Sequence, residues 1–338
     1  MSLSLVNPRY ASSAALPRYE VPIAFPEREV PLVLSRNGDG PIFHQTWWQL
    51  ASADNALEQV SATWDGKVVG RLAYIRRNKF GFRVLNMPPY CHTQGPVLSL
   101  PPSKPAKVAR NLRRVVKELV DQLPAHDRFH LILDPADKSA FAFAMAGCSI
   151  YQDFTFRLDA RRNLEEHWEH LDPKTRNLVR SAGKSLQVRQ NADLEGFLAM
   201  CDKERAGKNM HNMAALRRMG AAALVRGQAV ILTADDERGR PTASAFLVWD
   251  DTLVYYWQSS RDPEIVLPGA NNFLVWESMK FALESGRTFD MDGYGSRGSA
   301  RFGAKFSMEP VVRASVVHMS KLGSVMRALT TQPHSITE

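Results

Sequence analysis

Two carboxylates, Asp290 and Asp292, stand two residues apart at the end of the run Arg287 to Met291, which has the length and apolar content of a short strand. In a strand, residues i and i+2 share a face, so both acids are expected on one side of a sheet. Acids at the lip of a sheet are placed to take a proton or grip an ammonium group, and open α/β proteins bind their ligands there. Tyr294 follows in a glycine-rich turn. Arg301 and Lys305 are four apart; on a helix they share a face and suit a phosphate or a terminal carboxylate. Each has a plainer reading. One aspartate would cap the next turn and the other pair with an arginine, the tyrosine would pack in the turn, and the cations would form a solvated face.

The same stretch carries a second signal. The turn Pro268-Gly269-Ala270-Asn271-Asn272 feeds a run with apolar residues at helical spacing, and Gly286 ends it. A helix that starts on a tight turn presents unpaired N–H groups at the positive end of its dipole. Gly269, Ala270, Asn271 and Asn272 are therefore the candidate cradle for a phosphate-bearing cofactor or cosubstrate. Earlier, Arg176, Arg180 and Lys184 form a stripe at four-residue spacing that would line an acceptor groove, a nucleic-acid backbone or simply a solvated face. Tyr256 falls on the face opposite Tyr255 and Trp257, where it would wall a substrate.

These residues need elements to hold them. Residues 1–40, rich in proline, read as an extended arm with one edge strand at Val30 to Leu34. A helix opens near Thr46, its expected N-cap. Asp65-Gly66 between apolar runs predicts a hairpin. Strands are expected at Phe82 to Met87, Phe129 to Leu133 and Ser149 to Leu158, and helices at Val108 to Leu123 and Ala140 to Ala146. The second part repeats that order, with a turn at Arg238-Gly239, helix Asn272 to Ser285, a strand ending Met291-Asp292-Gly293, and closing strand Val311 to Met319; a last helix is expected at Leu322 to Leu329. The reading is a duplicated α/β chain: an arm (1–40), a first domain (41–160) that is structural or acceptor-binding, and a second (161–330) that carries the candidate site.

Composition narrows the function. The 338 residues are 44% hydrophobic and 23% charged, as in a soluble globular protein. Three scattered cysteines form no disulfide framework or CxxC pair, and no HExxH pair exists, so no metal is expected and a reducing, cytoplasmic setting is. No secretory signal or ~20-residue apolar run is present. The net charge of +8 points to anionic partners: nucleic acid, CoA-type phosphates, acidic glycans or an anionic membrane face.

The repeated order, with a phosphate-cradling turn before its main helix, resembles the GNAT acyltransferase fold, and the duplicated form resembles its FemAB-like branch. The resemblance rests on Phe43 to Trp48, on Leu171 to Lys184, on Gly269 to Gly286 with Phe289-Asp290-Met291-Asp292-Gly293, and on Arg301-Phe302-Gly303-Ala304-Lys305-Phe306. It departs from the family where Gly303 stands in place of a lysine, with Lys305 two places on. The resemblance implies two tandem GNAT-like domains with mixed sheets. It implies an N-acyltransferase that moves an acyl group from acyl-CoA to an amine of a sugar or amino-acid derivative by direct attack, in polysaccharide or cell-envelope biosynthesis. Asp292 would grip or deprotonate the acceptor, Tyr294 protonate the leaving thiolate, and Lys305 complete the catalytic set, with Arg176, Arg180, Tyr256, Asp290 and Arg301 on the substrates. Two alternatives stand beside it: a peptidyltransferase using aminoacyl-tRNA, and a non-catalytic binding module on the same scaffold.

Overall fold

The computed structural model describes residues 40–206, 211–294 and 296–320; the expected arm, its strand at Val30 to Leu34 and the helix at Leu322 to Leu329 lie outside them. The first half runs α1 (Thr46–Ala53), β1 (Leu57–Trp64), β2 (Lys67–Lys79), β3 (Phe82–Asn86), β4 (Val97–Leu98), α2 (Pro105–Asp121), β5 (Arg128–Ile132), α3 (Ala140–Met145) and β6 (Ser149–Leu158). The second runs α4 (Leu164–His170), α5 (Pro173–Ser185), β7 (Leu186–Asn191), α6 (Leu194–Glu204), α7 (Met213–Val225), β8 (Ala229–Asp236), β9 (Pro241–Trp249), β10 (Leu253–Arg261), α8 (Ala270–Glu284), β11 (Thr288–Asp290), α9 (Arg297–Ala304) and β12 (Glu309–Met319).

Local chemistry accounts for many boundaries. Asp65 and Gly66 take positive φ (49° and 72°) and close the β1–β2 hairpin, as an Asp-Gly type I′ turn must. Proline at the start of α2 and of α5 gives up only an N–H with no intrahelical partner. Asp172 separates α4 from α5 by accepting the Thr175 N–H as an N-cap. The expected cap at Thr46 is corrected. Gln45 holds the N-cap position, and the Thr46 hydroxyl is buried without a partner.

All the strands join one sheet in the order β1-β2-β3-β5-β12-β6-β11-β10-β9-β8-β7, with β4 paired to β2. The duplication is visible in it. The pair β3/β5 is parallel with α2 as its crossover, and β10/β11 is parallel with α8 as its crossover. The closing strands, however, are exchanged. β6, which ends the first half, pairs with β11 of the second; β12, which ends the second, pairs with β5 of the first. They meet each other along nine residue pairs, from Arg157↔Glu309 to Ser149↔Val317. The division of the sequence at 160/161 is therefore not a division of the packing. Helix α1 and the turn before it join the second half as well: Ile42, Phe43, Trp48 and Ala51 share a core with Leu216, Phe246, Tyr255 and Trp257. On the opposite face of the sheet, α5 and α8 cover β8–β11 through Val179, Leu274, Val275 and Met279. In the first half, α2 and α3 cover the sheet through Val115, Val116, Leu119 and Phe143.

Candidate active site

β10 and β11 hold together over three residue pairs only, ending at Tyr255↔Asp290. β10 continues to Arg261 against β9, with a bulge between Tyr256 and Gln258, while β11 stops. The sheet is thus split beyond Asp290, and α8 starts at the same end of β10. Its N-cap, Gly269, has φ +87° and sits so close to α5 that an added Cβ would lie 2.7 Å from the Leu178 carbonyl oxygen. Ala270 N–H bonds back to Leu267 and Phe273 N–H to Gly269. Among the described residues nothing accepts from the N–H groups of Asn271 and Asn272, as is usual in the first turn of a helix.

Asp290 closes the split and is saturated. Its Oδ1 accepts from Thr155 Oγ1 (2.5 Å) and from Asp292 N (2.7 Å), and its Oδ2 accepts from Arg157 Nε (2.7 Å). Arg157 also reaches Asp134 Oδ2 at 3.2 Å. Burial opposes the charge on Arg157, but Asp290 and Asp134 outweigh it and hold the guanidinium protonated. The expectation that Asp290 and Asp292 share a strand face is corrected: β11 ends at Asp290, and Asp292 turns off it with φ +62°. Asp290 holds both the turn and an arginine, which leaves it no free oxygen for an acceptor.

Asp292 is the opposite case. It is buried, and His92 Nδ1 lies 3.1 Å from its Oδ2. The hydrogen bond of that nitrogen, though, runs to the Asp292 carbonyl oxygen at 3.0 Å, and Oδ2 itself has no hydrogen-bond donor. Burial, and then the charge of Asp290, push the Asp292 carboxyl well above the ordinary range. His92 is held neutral, its pKa lowered to about 4 by burial and by Arg313. A carbonyl only accepts, so Nδ1 carries the proton and Nε2 keeps its lone pair. Below them, Arg313 Nη2 bonds Asp153 (3.1 Å), and its Nη1 reaches the His92 carbonyl oxygen (3.5 Å). Gly293 rests on that guanidinium, with room for no Cβ.

His92 was missed in the sequence because nothing marks it. It sits in an irregular loop of the first half, 200 residues from its partner. The loop is held against the second half by its own contacts, Trp257 Nε1 donating to the Tyr90 carbonyl oxygen and the His92 ring packing on Phe43.

The remaining candidates are spread around this centre. Tyr294 is partly exposed, its ring 6.4 Å from Phe156. Tyr256 packs edge-on against Phe289, and burial raises its phenol pKa. Arg301 lies on α9 and Lys305 just past its end, both exposed. Arg176 is paired with Glu169 (2.5 Å), and Arg180 lies over the Trp168 ring (5.8 Å), so both face α4 rather than Asp292. Cys91 is buried beside the site, and burial raises its thiol pKa, which disfavours the thiolate that a nucleophile needs. Among the described residues no group of three or more His, Cys, Asp or Glu could hold a metal.

Residues 169–302 match the acetyltransferase (GNAT) domain family. No curated protein sequence matches the chain. Among solved structures it is similar to FemX (13% identity, TM-score 0.60, covering 87% of this chain and 95% of that one). It is also similar to a tandem GNAT protein from the clavulanic acid biosynthesis pathway (14%, TM-score 0.50, 80% and 87%). L-PGS from Bacillus licheniformis is a third (11%, TM-score 0.53, 81% and 88%). At these identities the likeness is one of fold.

Proposed function

We propose that this chain, an acyltransferase with a GNAT domain inside a FemAB-like tandem fold, transfers an acyl group from a CoA thioester to the amine of a sugar or amino-acid derivative. The observation that carries the reading is the buried Asp292 carboxylate, which has one oxygen without a donor and follows two residues after the last pair of β11 with β10. A buried acceptor of this kind costs stability unless a ligand supplies the missing hydrogen bond. An ammonium or amine N–H does so. Its raised pKa also suits it to take the proton that an attacking amine must lose. The amine nitrogen then bonds to the thioester carbonyl carbon, the C–S bond breaks, and Tyr294 gives its proton to the departing thiolate. The amides of Asn271 and Asn272 hold the pyrophosphate of the donor. Lys305 and Arg301, exposed on the α9 side, meet its outer phosphates.

Two measurements test this. CoA esters should raise the melting temperature of the protein. Asp292→Asn should keep that shift and lose thiol release with amino-sugar and amino-acid acceptors. No shift with any CoA ester would remove the donor assignment. A second reading, aminoacyl-tRNA as donor, is supported by the basic side chains of α5 (Lys174, Arg176, Arg180, Lys184), because α5 packs on the start of α8 through Gly183 against Phe273. tRNA binding that falls steeply with salt, without a CoA shift, would favour it.

A further inference from the structure

The β2–β3 hairpin has no part in the site above, and its tip breaks ordinary hairpin rules. β2 outruns β1, whose last pair is Leu57↔Ile75. The end of the hairpin, Asn78↔Arg83 and Lys79↔Phe82, projects roughly 10 Å past the last rung it shares with β5 at Val84↔Arg128. Its two-residue turn is Phe80-Gly81, with φ +52° and +81°. The first of these positions favours Asn, Asp or Gly; a bulky aromatic there is an outlier. Phe80 gains nothing from the fold in return, since it is 86% exposed. A strained backbone position whose side chain the fold does not bury is the kind of outlier that points to a role outside folding.

The surroundings of Phe80 select the partner. Residues 76–83 hold Arg76, Arg77, Lys79 and Arg83 and no acid. Arg76 pairs with Glu58 and Arg83 with Asp127. Arg77 and Lys79 have no carboxylate partner among the described residues, and Lys79 Nζ lies 5.9 Å from the Phe80 ring centre. Across a groove of about 680 Å³ from Phe80 stands Tyr151, itself exposed. The same groove reaches Asp153, the carboxylate that holds Arg313 beside Asp292.

We infer that the Phe80 hairpin docks this protein on an anionic lipid bilayer, with the Phe80 ring in the headgroup–acyl boundary and Arg77 and Lys79 on the lipid phosphates. A single projecting apolar residue flanked by free cations matches an interfacial anchor. Among the described residues no helix is long and apolar enough to span a membrane. The groove behind Phe80 then opens toward the bilayer. This inference stands apart from the proposed acyl donor and survives its failure.

The test uses Phe80→Asn in the full chain. Asn-Gly is the preferred pair for this turn, so the variant should fold at least as stably as the parent, and a loss of binding cannot be put down to unfolding. Flotation with vesicles of equal phosphatidylglycerol and phosphatidylcholine should recover the parent protein, and pure phosphatidylcholine should not. Phe80→Asn should weaken binding by about tenfold, as removal of a buried aromatic from an apolar layer does. Arg77→Gln and Lys79→Gln should each weaken it about fivefold. Equal recovery on both vesicle types overturns the inference, as does a Phe80→Asn variant that binds like the parent. A single-stranded RNA oligonucleotide that binds more tightly than the anionic vesicles and is lost in Phe80→Asn also overturns it, by reassigning the hairpin to nucleic acid.

Discussion

Replacing Asp292 with Asn should stabilise the protein while abolishing its reaction, and the two effects come from the same atom. Oδ2 is buried with no donor, so in the free protein it carries the cost of an unsatisfied polar group, about 1–3 kcal/mol. Its pKa is raised by burial and by Asp290. A carboxyl raised in the folded state binds more protons there than in the unfolded chain, so stability declines as pH rises from its unfolded value toward its folded one. Each unit of elevation is worth about 1.4 kcal/mol. The Asn variant has no such slope. Urea unfolding at pH 4 should therefore show nearly equal stabilities, and at pH 8 the variant should be the more stable by about 1–3 kcal/mol. In the thiol-release assay the variant should lose about 10²–10⁴-fold in kcat, the usual worth of a positioned proton acceptor, with the donor-induced melting shift intact. A variant that is less stable at pH 8, or that still turns over, would show that Asp292 is an ordinary structural residue.

Other outcomes follow from the same geometry. Gly269→Ala should cost about 1–3 kcal/mol and raise KM for a phosphate-bearing donor, because the new Cβ meets the Leu178 carbonyl at a positive φ and moves the start of α8; unchanged donor binding would argue against that helix end as the cradle. Arg157→Met leaves Asp290 and Asp134 buried without their cation and should cost about 3–5 kcal/mol by denaturant midpoint. His44, His92 and His130 are each lowered to about 4, chiefly by burial. The unfolded chain binds more protons than the folded one between about 6.5 and 4, so these histidines contribute stability that is lost as pH falls through that window. The loss should be about 3 kcal/mol at most for His44 and less for the more exposed pair, with Asp292 and Asp137 working in the opposite sense; a urea midpoint at pH 4.5 no lower than at pH 7 would contradict this.

Much of the fold was legible because its signals are local. Asp65-Gly66 specifies its own turn, and the strand expected at Ser149 to Leu158 has the bounds of β6. The candidate site was legible where it is built from consecutive residues: the turn at Gly269, and Asp292 after a short strand. What escaped was set by distance in the chain. The N-cap at Gln45 depends on helix packing, and the roles of Asp290 and Asp292 separate only when Thr155 and Arg157 arrive from another half. His92 has no neighbour pattern at all. The Phe80 turn escaped for another reason: its residue type argues against the structure it adopts, which is where local preference is expected to fail when a residue serves something other than folding.

The traded strands carry a practical consequence. A fragment cut to residues 169–302 would lack both β6 and β12, and β11 would lose Leu158 and Arg157 as its neighbours. Three residues of strand would then face solvent with an open ladder edge and an uncovered aspartate. Such a piece should clump, or else recruit the missing ribbon from another molecule, whereas the severed pieces expressed together should reassemble. Descendants of the original duplication cannot be separated again by a simple break at the midpoint. Each copy now finishes the other, and a mutation at the seam is felt on both sides of it.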